Sequence, residues 1–280
     1  GFWDELDALL AKIDCKILLF EDRTIAYRQY TQLQGIFSGE LRSVGNGVMD
    51  LRNVKEPWEI DLMKTANRIA EKAFLELLND VKPGKTEKEL AARFDYLMAL
   101  GGSDGVSFDT ILLTGAHTSM PHGVPENREV QKGDFVLFDF GATYRGYHSD
   151  MTRTVAVGSA TAEMQAAYDL VLRAQLAGIQ ALHTGVPCKE VYKAAYDVLA
   201  AEDQAQYFRH SLGHGVGLEI HEGYNDSPRS GDAYQTGNVT SMEPGIYLPD
   251  KFGIRIEDVL YLSPHGRENL SNVTKKLIVL

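Results

Sequence analysis

Apolar residues recur along this chain with two periods, and each change of period marks an element. Within residues 2–11, Phe2, Leu6, Leu9 and Leu10 are spaced for one face of a helix; KILLF at 16–20 predicts a short strand and TIAYRQYTQLQ at 24–34 a second helix. About fifty residues are few for an independent core, so this opening α/β piece (1–52) reads as an adjunct or as the remnant of a larger domain, with a linker near 51–54. Across 56–80, Ile60, Met63, Ala66, Ile69, Ala70, Ala73, Phe74 and Leu77 define a long amphipathic helix that Pro83-Gly84 would stop. Thr86 and Glu89 then form a capping box that starts another helix.

The segment PGKTEKEL at 83–90 returns as TGVPCKEV at 184–191, and the same offset of 101 residues sets Ala167 and Ala174 against Ala66 and Ala73. A second long helix is therefore expected over 161–181. Each half reads as helix, helix, then strands. A period this long does not suit a solenoid and points instead to two pseudo-symmetric halves around one site. In the first half the strands are clearest in GDFVLFDFGATYRGYHSDMTRTVAVG at 133–158, where Phe135, Leu137 and Asp139 alternate with Val136, Phe138 and Phe140. An ionised carboxylate among apolar neighbours costs several kcal/mol when unpaired, so Asp139 is protonated, ion-paired, turn-forming or bound to metal. Asp150 follows a Gly-Ala-Thr-Tyr-Arg-Gly connection that can fold back as a hairpin, which would bring two acids to one spot. The repeat answers Asp139 with Glu243, at an offset of 104, and Asp150 with Glu257, at 107.

Composition narrows the partners. With 280 residues, 44% hydrophobic and 24% charged, the chain can bury a large core in one or two domains. A net charge of −11 without any Lys/Arg-rich run argues against nucleic acid or an anionic membrane and favours small-molecule or peptide chemistry. Cys15 and Cys188 form no Cys-x-x-Cys pattern, and no apolar run approaches the roughly 18 residues of a spanning helix, so the expected location is the cytoplasm.

Three more residues carry candidate chemistry. His214 lies in HSLGHGVG, a glycine loop in which an imidazole can be aimed at a ligand or simply bonded to backbone. Glu243 in VTSMEPGIY is held extended by Pro244, or is a strand-end acid in a turn. Glu257 in GIRIEDVLYL shares a strand face with Arg255, which also allows a surface ion pair.

The order and context of Asp139, Asp150, His214, Glu243 and Glu257 resemble the dinuclear metallopeptidases of the methionine aminopeptidase and prolidase superfamily, family M24. PHG at 121–123, HSLGHGVGLEIHE at 210–222, EPGIYLP at 243–249 and GIRIED at 253–258 resemble its Xaa-Pro branch, and LRNVKEPWEIDLMKTA at 51–66 is similar to that branch's entry into the catalytic domain. The resemblance implies an α+β pita-bread (creatinase/aminopeptidase) fold over 53–280, two pseudo-symmetric halves of helices and antiparallel strands, with 1–52 the end of a creatinase-like α/β domain. It implies hydrolysis of Xaa-Pro bonds at the free amino end of peptides by a water or hydroxide between two divalent metal ions, Mn²⁺ foremost and Co²⁺, Fe²⁺ or Zn²⁺ as alternatives. A set of four carboxylates and one imidazole suits such ions.

By the same resemblance Asp150 and Glu257 bridge the ions, Asp139 chelates one, and His214 with Glu243 completes the other. His122, His210, His221, Glu243 and Arg255 become catalytic candidates, with His122, His221 and Tyr247 touching substrate. Arg255 would orient Asp139. A homodimer is the implied assembly. The competing readings are a methionine aminopeptidase, opposed by Gly245 and Arg255, another hydrolase of the fold, and a metal-free peptide-binding relative, opposed by the presence of all five ligands.

Overall fold

A computed structural model describes residues 1–280, which divide into two units, Gly1–Arg52 and Asn53–Leu280. The first unit runs α1 (Phe2–Lys12), β1 (Ile17–Phe20), α2 (Tyr27–Ile36) and β2 (Glu40–Ser43), followed by α3 (Gly47–Asn53). β1 and β2 are parallel with Ile17 opposite Glu40, and Leu10, Leu33 and Phe37 form the small core beside them. The sequence ELRS of β2 is too polar to announce a strand. The linker expected near 51–54 begins inside α3, so the chain stays helical through most of it.

In the second unit α4 (Pro57–Leu77) starts with Pro57 in its first turn, where a missing N–H costs nothing. It ends before Pro83 is reached. Asn79 and Asp80 donate their N–H groups to the carbonyls of Glu76 and Leu77, and the Asn79 amide also takes the Glu76 carbonyl, a tightened turn that closes the helix early. α5 (Glu87–Leu100) begins at the expected box: Glu89 N–H donates to Thr86 Oγ1 at 3.2 Å and Thr86 N–H to Glu89 Oε2 at 2.8 Å.

The first half continues with β3 (Gly105–Val106), β4 (Ile111–Thr114), β5 (Phe135–Phe140), β6 (Ala142–Tyr144), β7 (Tyr147–His148) and β8 (Met151–Ala156). The second half has α6 (Ala162–Ala181), α7 (Cys188–Ala200), β9 (Gly213–Gly215), β10 (Glu222–Asp226), β11 (Val239–Met242), β12 (Gly245–Leu248), β13 (Phe252–Arg255), β14 (Asp258–Ser263), β15 (Gly266–Asn269) and β16 (Ile278–Val279). Two sheets dominate, ordered β16-β8-β5-β4 and β10-β9-β11-β14-β15.

The internal repeat is physical. The isolated bridge between Thr86 and Glu129 recurs between Pro187 and Ala233, and the bond from Gly84 N–H to the Val130 carbonyl recurs from Gly185 to Tyr234, each with the displacements read from the sequence. β4 lies antiparallel to β5 as β9 does to β11. Each half fills its own core: Phe74, Phe94, Phe138 and Phe140 cluster in the first, with Phe94 and Phe140 centroids 4.5 Å apart, and Leu170, Val171, Leu199 and Ile254 pack in the second. β5 and β8 pair antiparallel with Asp139 opposite Thr152, as a hairpin requires. The connection is more than a turn, because β6 and β7 form their own hairpin about Arg145 and Gly146, whose φ values are 50° and 82°.

Candidate active site

Strands of the two sheets and the connections beside them bring the four predicted acids and the predicted imidazole into one cavity of about 460 Å³. Asp139 is the fifth of the six residues of β5 and His214 the centre of β9. The other three stand just outside strands: Asp150 before β8, Glu243 after β11, and Glu257 between β13 and β14. Those three acids are thus free of the strand alternation that would send every second residue away. His214 is on a strand and not in a loop, contrary to expectation. A Cβ on Gly213 would lie 2.1 Å from the Ser241 carbonyl oxygen, and one on Gly215 2.1 Å from that of Glu222, so only glycine lets β9 fit between its neighbours.

Ligand atoms of Asp150, His214 and Glu257 lie within 4.8 Å of one another. Nε2 of His214 is 3.5 Å from Asp150 Oδ2 and 3.5 Å from Glu243 Oε1. Its Nδ1 is 3.1 Å from the Gly215 carbonyl, which can only accept, so Nδ1 carries the proton and Nε2 offers a lone pair to the cavity. Burial, with His221 beside it, pushes the His214 pKa down to about 3. Burial also raises Asp150 and Glu243 well above the carboxylate range, with Glu257 the foremost charge acting on both, and it lifts Glu257 to about 8, with Asp139 adding to it. Buried carboxyl groups this close cannot all be ionised without cations. Asp139 Oδ1 and Glu257 Oε1 are buried and accept no hydrogen bond within the protein. Unfilled oxygens, a neutral imidazole with its lone pair inward, and crowded acids fit divalent ions.

Around this set the side chains form a connected shell. Arg255, 2% exposed, donates from Nη2 to Asp139 Oδ2 at 2.5 Å and from Nε to Thr152 Oγ1 at 3.0 Å, and Thr152 in turn donates to Glu257 Oε2 at 2.7 Å. The surface ion pair between Arg255 and Glu257 that the strand pattern allowed is absent, since both residues are buried and Arg255 turns to Asp139. Tyr247 and His210 extend the shell: Arg255 Nη1 donates to the Tyr247 hydroxyl at 2.5 Å, and that hydroxyl is 2.9 Å from His210 Nε2. His122 and His221 line the cavity; the His221 ring centroid is 4.0 Å from that of His214, and the His122 ring has no hydrogen-bond partner in the protein.

Phe108, Ile111 and Ile220 also line the cavity, and the sequence reading did not find them. Phe108 precedes β4 in irregular chain, where no periodicity marks a wall residue. Thr152 was missed as well, although polar residues alternating at 150, 152 and 154, along and just before a fully buried strand, were a legible sign of a buried polar face.

Residues 61–264 match the family model described as Metallopeptidase family M24. The chain belongs to this family. It is 38% identical over 266 residues to an uncharacterised peptidase of Bacillus subtilis, covering 95% of this chain and 75% of that protein. It is 37% identical over 239 residues to the Xaa-Pro dipeptidase of Pyrococcus horikoshii, covering 85% of this chain and 68% of the relative. Among solved structures, the Xaa-Pro dipeptidase from Bacillus anthracis superposes with a TM-score of 0.97 at 35% identity, covering 100% of this chain and 79% of that one. The X-Pro aminopeptidase from Thermotoga maritima gives 0.95 at 35% identity, covering 100% and 80%. The α+β pita-bread fold expected from the sequence is therefore the fold of this M24 chain. Membership implies divalent metal ions, which the donor set of the cavity suits.

Proposed function

We propose that the protein hydrolyses Xaa-Pro bonds at the free amino end of di- or oligopeptides, using two divalent ions held by Asp139, Asp150, His214, Glu243 and Glu257. Bound there, the ions supply Lewis acidity that lowers the pKa of water and polarises a carbonyl. The observation that carries the reading is a cavity lined by those five donors together with the apolar Phe108, Ile111 and Ile220. A bond to proline is a tertiary amide without N–H, so apolar walls that demand no donor from that nitrogen favour it. Similarity to proteins described as Xaa-Pro dipeptidase and X-Pro aminopeptidase supports the same substrate class.

The chain's own groups divide the remaining work in this reading. Arg255 holds Asp139 in its ligating orientation. His122 and His221, on the cavity wall, donate hydrogen bonds to the substrate carbonyl and move protons between water and the departing nitrogen. Tyr247 and His210 steady Arg255 from behind. All of these residues lie within Asn53–Leu280, which we assign as the catalytic domain, with 1–52 as creatinase-like α/β structure. Mn²⁺ as the resident metal, a homodimer and a cytoplasmic setting complete the proposal; the two free cysteines accord with a reducing compartment.

The test is an assay of chelated protein reconstituted with single metals, comparing Xaa-Pro dipeptides, Xaa-Pro-Xaa tripeptides and Met-Ala substrates. Faster cleavage of Met-Ala than of every Xaa-Pro substrate would overturn the specificity and leave the metal site standing.

A further inference from the structure

Glu87, the first residue of α5, is 0% exposed, and its carboxylate has no lysine or arginine beside it. Its charge is met by N–H groups. Oε1 accepts from Thr114 N at 2.8 Å, Oε2 accepts from Glu126 N at 2.8 Å, and His117 Nδ1 stands 2.9 Å from one oxygen and 3.0 Å from the other. All three donors belong to one stretch of chain, 114–126, and two of them are near its ends. His122 sits within that stretch, and because its ring has no bond to the protein, its place in the cavity is inherited from the backbone that carries it. The far side of the loop is tied as well: Gly253 N donates to Thr118 Oγ1 at 2.7 Å, and Arg255 Nη1 reaches the Pro121 carbonyl at 3.3 Å.

Starting α5 does not require this carboxylate, since Thr86 and Glu89 already cap the helix. The repeat makes the same point. The equivalent first residue of α7 is Cys188, equally buried, and its thiol meets Asp226 and Ser230, a stretch that lends no residue to the cavity. The carboxylate bracket is thus confined to one half, the half that carries His122.

We infer that Glu87 is a positioning residue that clamps both ends of the 114–126 loop and thereby presents His122 to the substrate. The inference rests on the proposed function only in assigning His122 a substrate contact. Glu87→Gln keeps the volume but turns one acceptor into a donor facing a backbone N–H, so it should free one end of the loop. In the metal-loaded full chain, amide hydrogen exchange over 115–126 should quicken by about tenfold while β5, β8 and the metal content stay unchanged. With an Xaa-Pro dipeptide, kcat should fall by about tenfold in the otherwise unaltered enzyme and by less than about twofold in the His122→Ala background, because the two changes act on one element.

Unchanged exchange over 115–126, or the same loss in both backgrounds, overturns the clamp. Should Glu87→Gln fail to fold cooperatively, His117→Ala removes one of the three donors. It should give the same pattern more weakly, and unaltered exchange there also overturns the inference. If the unaltered protein cleaves no Xaa-Pro substrate, the exchange measurement still decides whether Glu87 holds the loop.

Discussion

Nε2 of His210 lies 2.9 Å from the hydroxyl oxygen of Tyr247, and Nδ1 of the same ring lies 2.7 Å from the Ser211 carbonyl. A carbonyl only accepts, so Nδ1 holds the proton, Nε2 accepts, and Tyr247 donates to it while accepting from Arg255. Burial, with Arg255 nearby, holds His210 down at about 3, and burial pushes Tyr247 up to about 12. Both groups therefore stay neutral throughout the working range.

His210 in this arrangement works through Tyr247 and cannot also shuttle protons to a substrate. We expect Tyr247→Phe and His210→Ala each to lower kcat by about tenfold, the worth of a buried hydrogen bond, and the double variant to be no worse than Tyr247→Phe alone. Steady-state kinetics of the three variants check this. Multiplying losses would give His210 a separate role.

Asp150 is buried, crowded by Glu257, Asp139 and Glu243, and 3.5 Å from His214 Nε2, whereas His122 and His221 stand on the cavity wall. Asp150→Asn should therefore lose bound metal. His122→Ala and His221→Ala should keep it while kcat falls by roughly 10²- to 10⁴-fold, the range for proton transfer or oxyanion contacts. Elemental analysis of protein loaded with excess Mn²⁺ separates the two behaviours. Metal loss in either histidine variant would move that residue into the ligand set.

What was legible in the sequence and what was not follows the range of the forces involved. Thr86 with Glu89 was readable because a capping box is closed within four residues. The repeat was readable because helices α4 and α6 keep their apolar stripes and the acids their offsets. Arg255 could be paired with Asp139 only by resemblance; its strand pattern alone pointed to Glu257, since the deciding contact spans two strands distant in sequence. Glu87 was not singled out, since an acid in a first helical turn is ordinary, and its three donors become visible only when β4 and the following loop fold over it. The strand at Gly213–Gly215 was hidden for a related reason: its glycines mark close backbone approach to Ser241 and Glu222, and that reads locally as a loop.

Asp226, 0% exposed, accepts from Tyr234 at 2.5 Å and has no cation among its partners. Burial raises its pKa from 3.8 to about 7, with the hydrogen bonds from Tyr234, Cys188 and Thr240 pulling the other way. The native state therefore holds a proton that the unfolded chain releases near pH 4. The associated stability is fully present below that pH and is lost as pH rises through about 7. Asp226→Asn stays neutral and escapes the loss. Relative to the unaltered protein, the variant should gain as much as about 1.4 kcal/mol per pH unit between pH 5 and 7. Urea unfolding of metal-free protein across that range measures it, and parallel curves would sink the idea.

Lys55 and Glu222 form an ion pair at 2.6 Å with each side chain 1% exposed, next to His221 in the chain. Glu222 Oε2 also accepts from Glu219 N at 3.1 Å, and Gly217 lies so close that a Cβ there would sit 2.2 Å from Glu222 Oε1. The pair is thus built into the turn that delivers His221 to the cavity. Lys55→Met strips a buried carboxylate of the cation at 2.6 Å and should cost about 3–5 kcal/mol. Glu222→Gln added to it removes the charge that Lys55 faced while keeping an acceptor for Glu219 N–H, so the double variant should recover much of the loss. The coupling from a double-mutant cycle, read from urea midpoints, should then be at least about 1 kcal/mol. Additive losses would mean that the charge on Glu222 is compensated without Lys55, and that the turn carrying His221 does not depend on the pair.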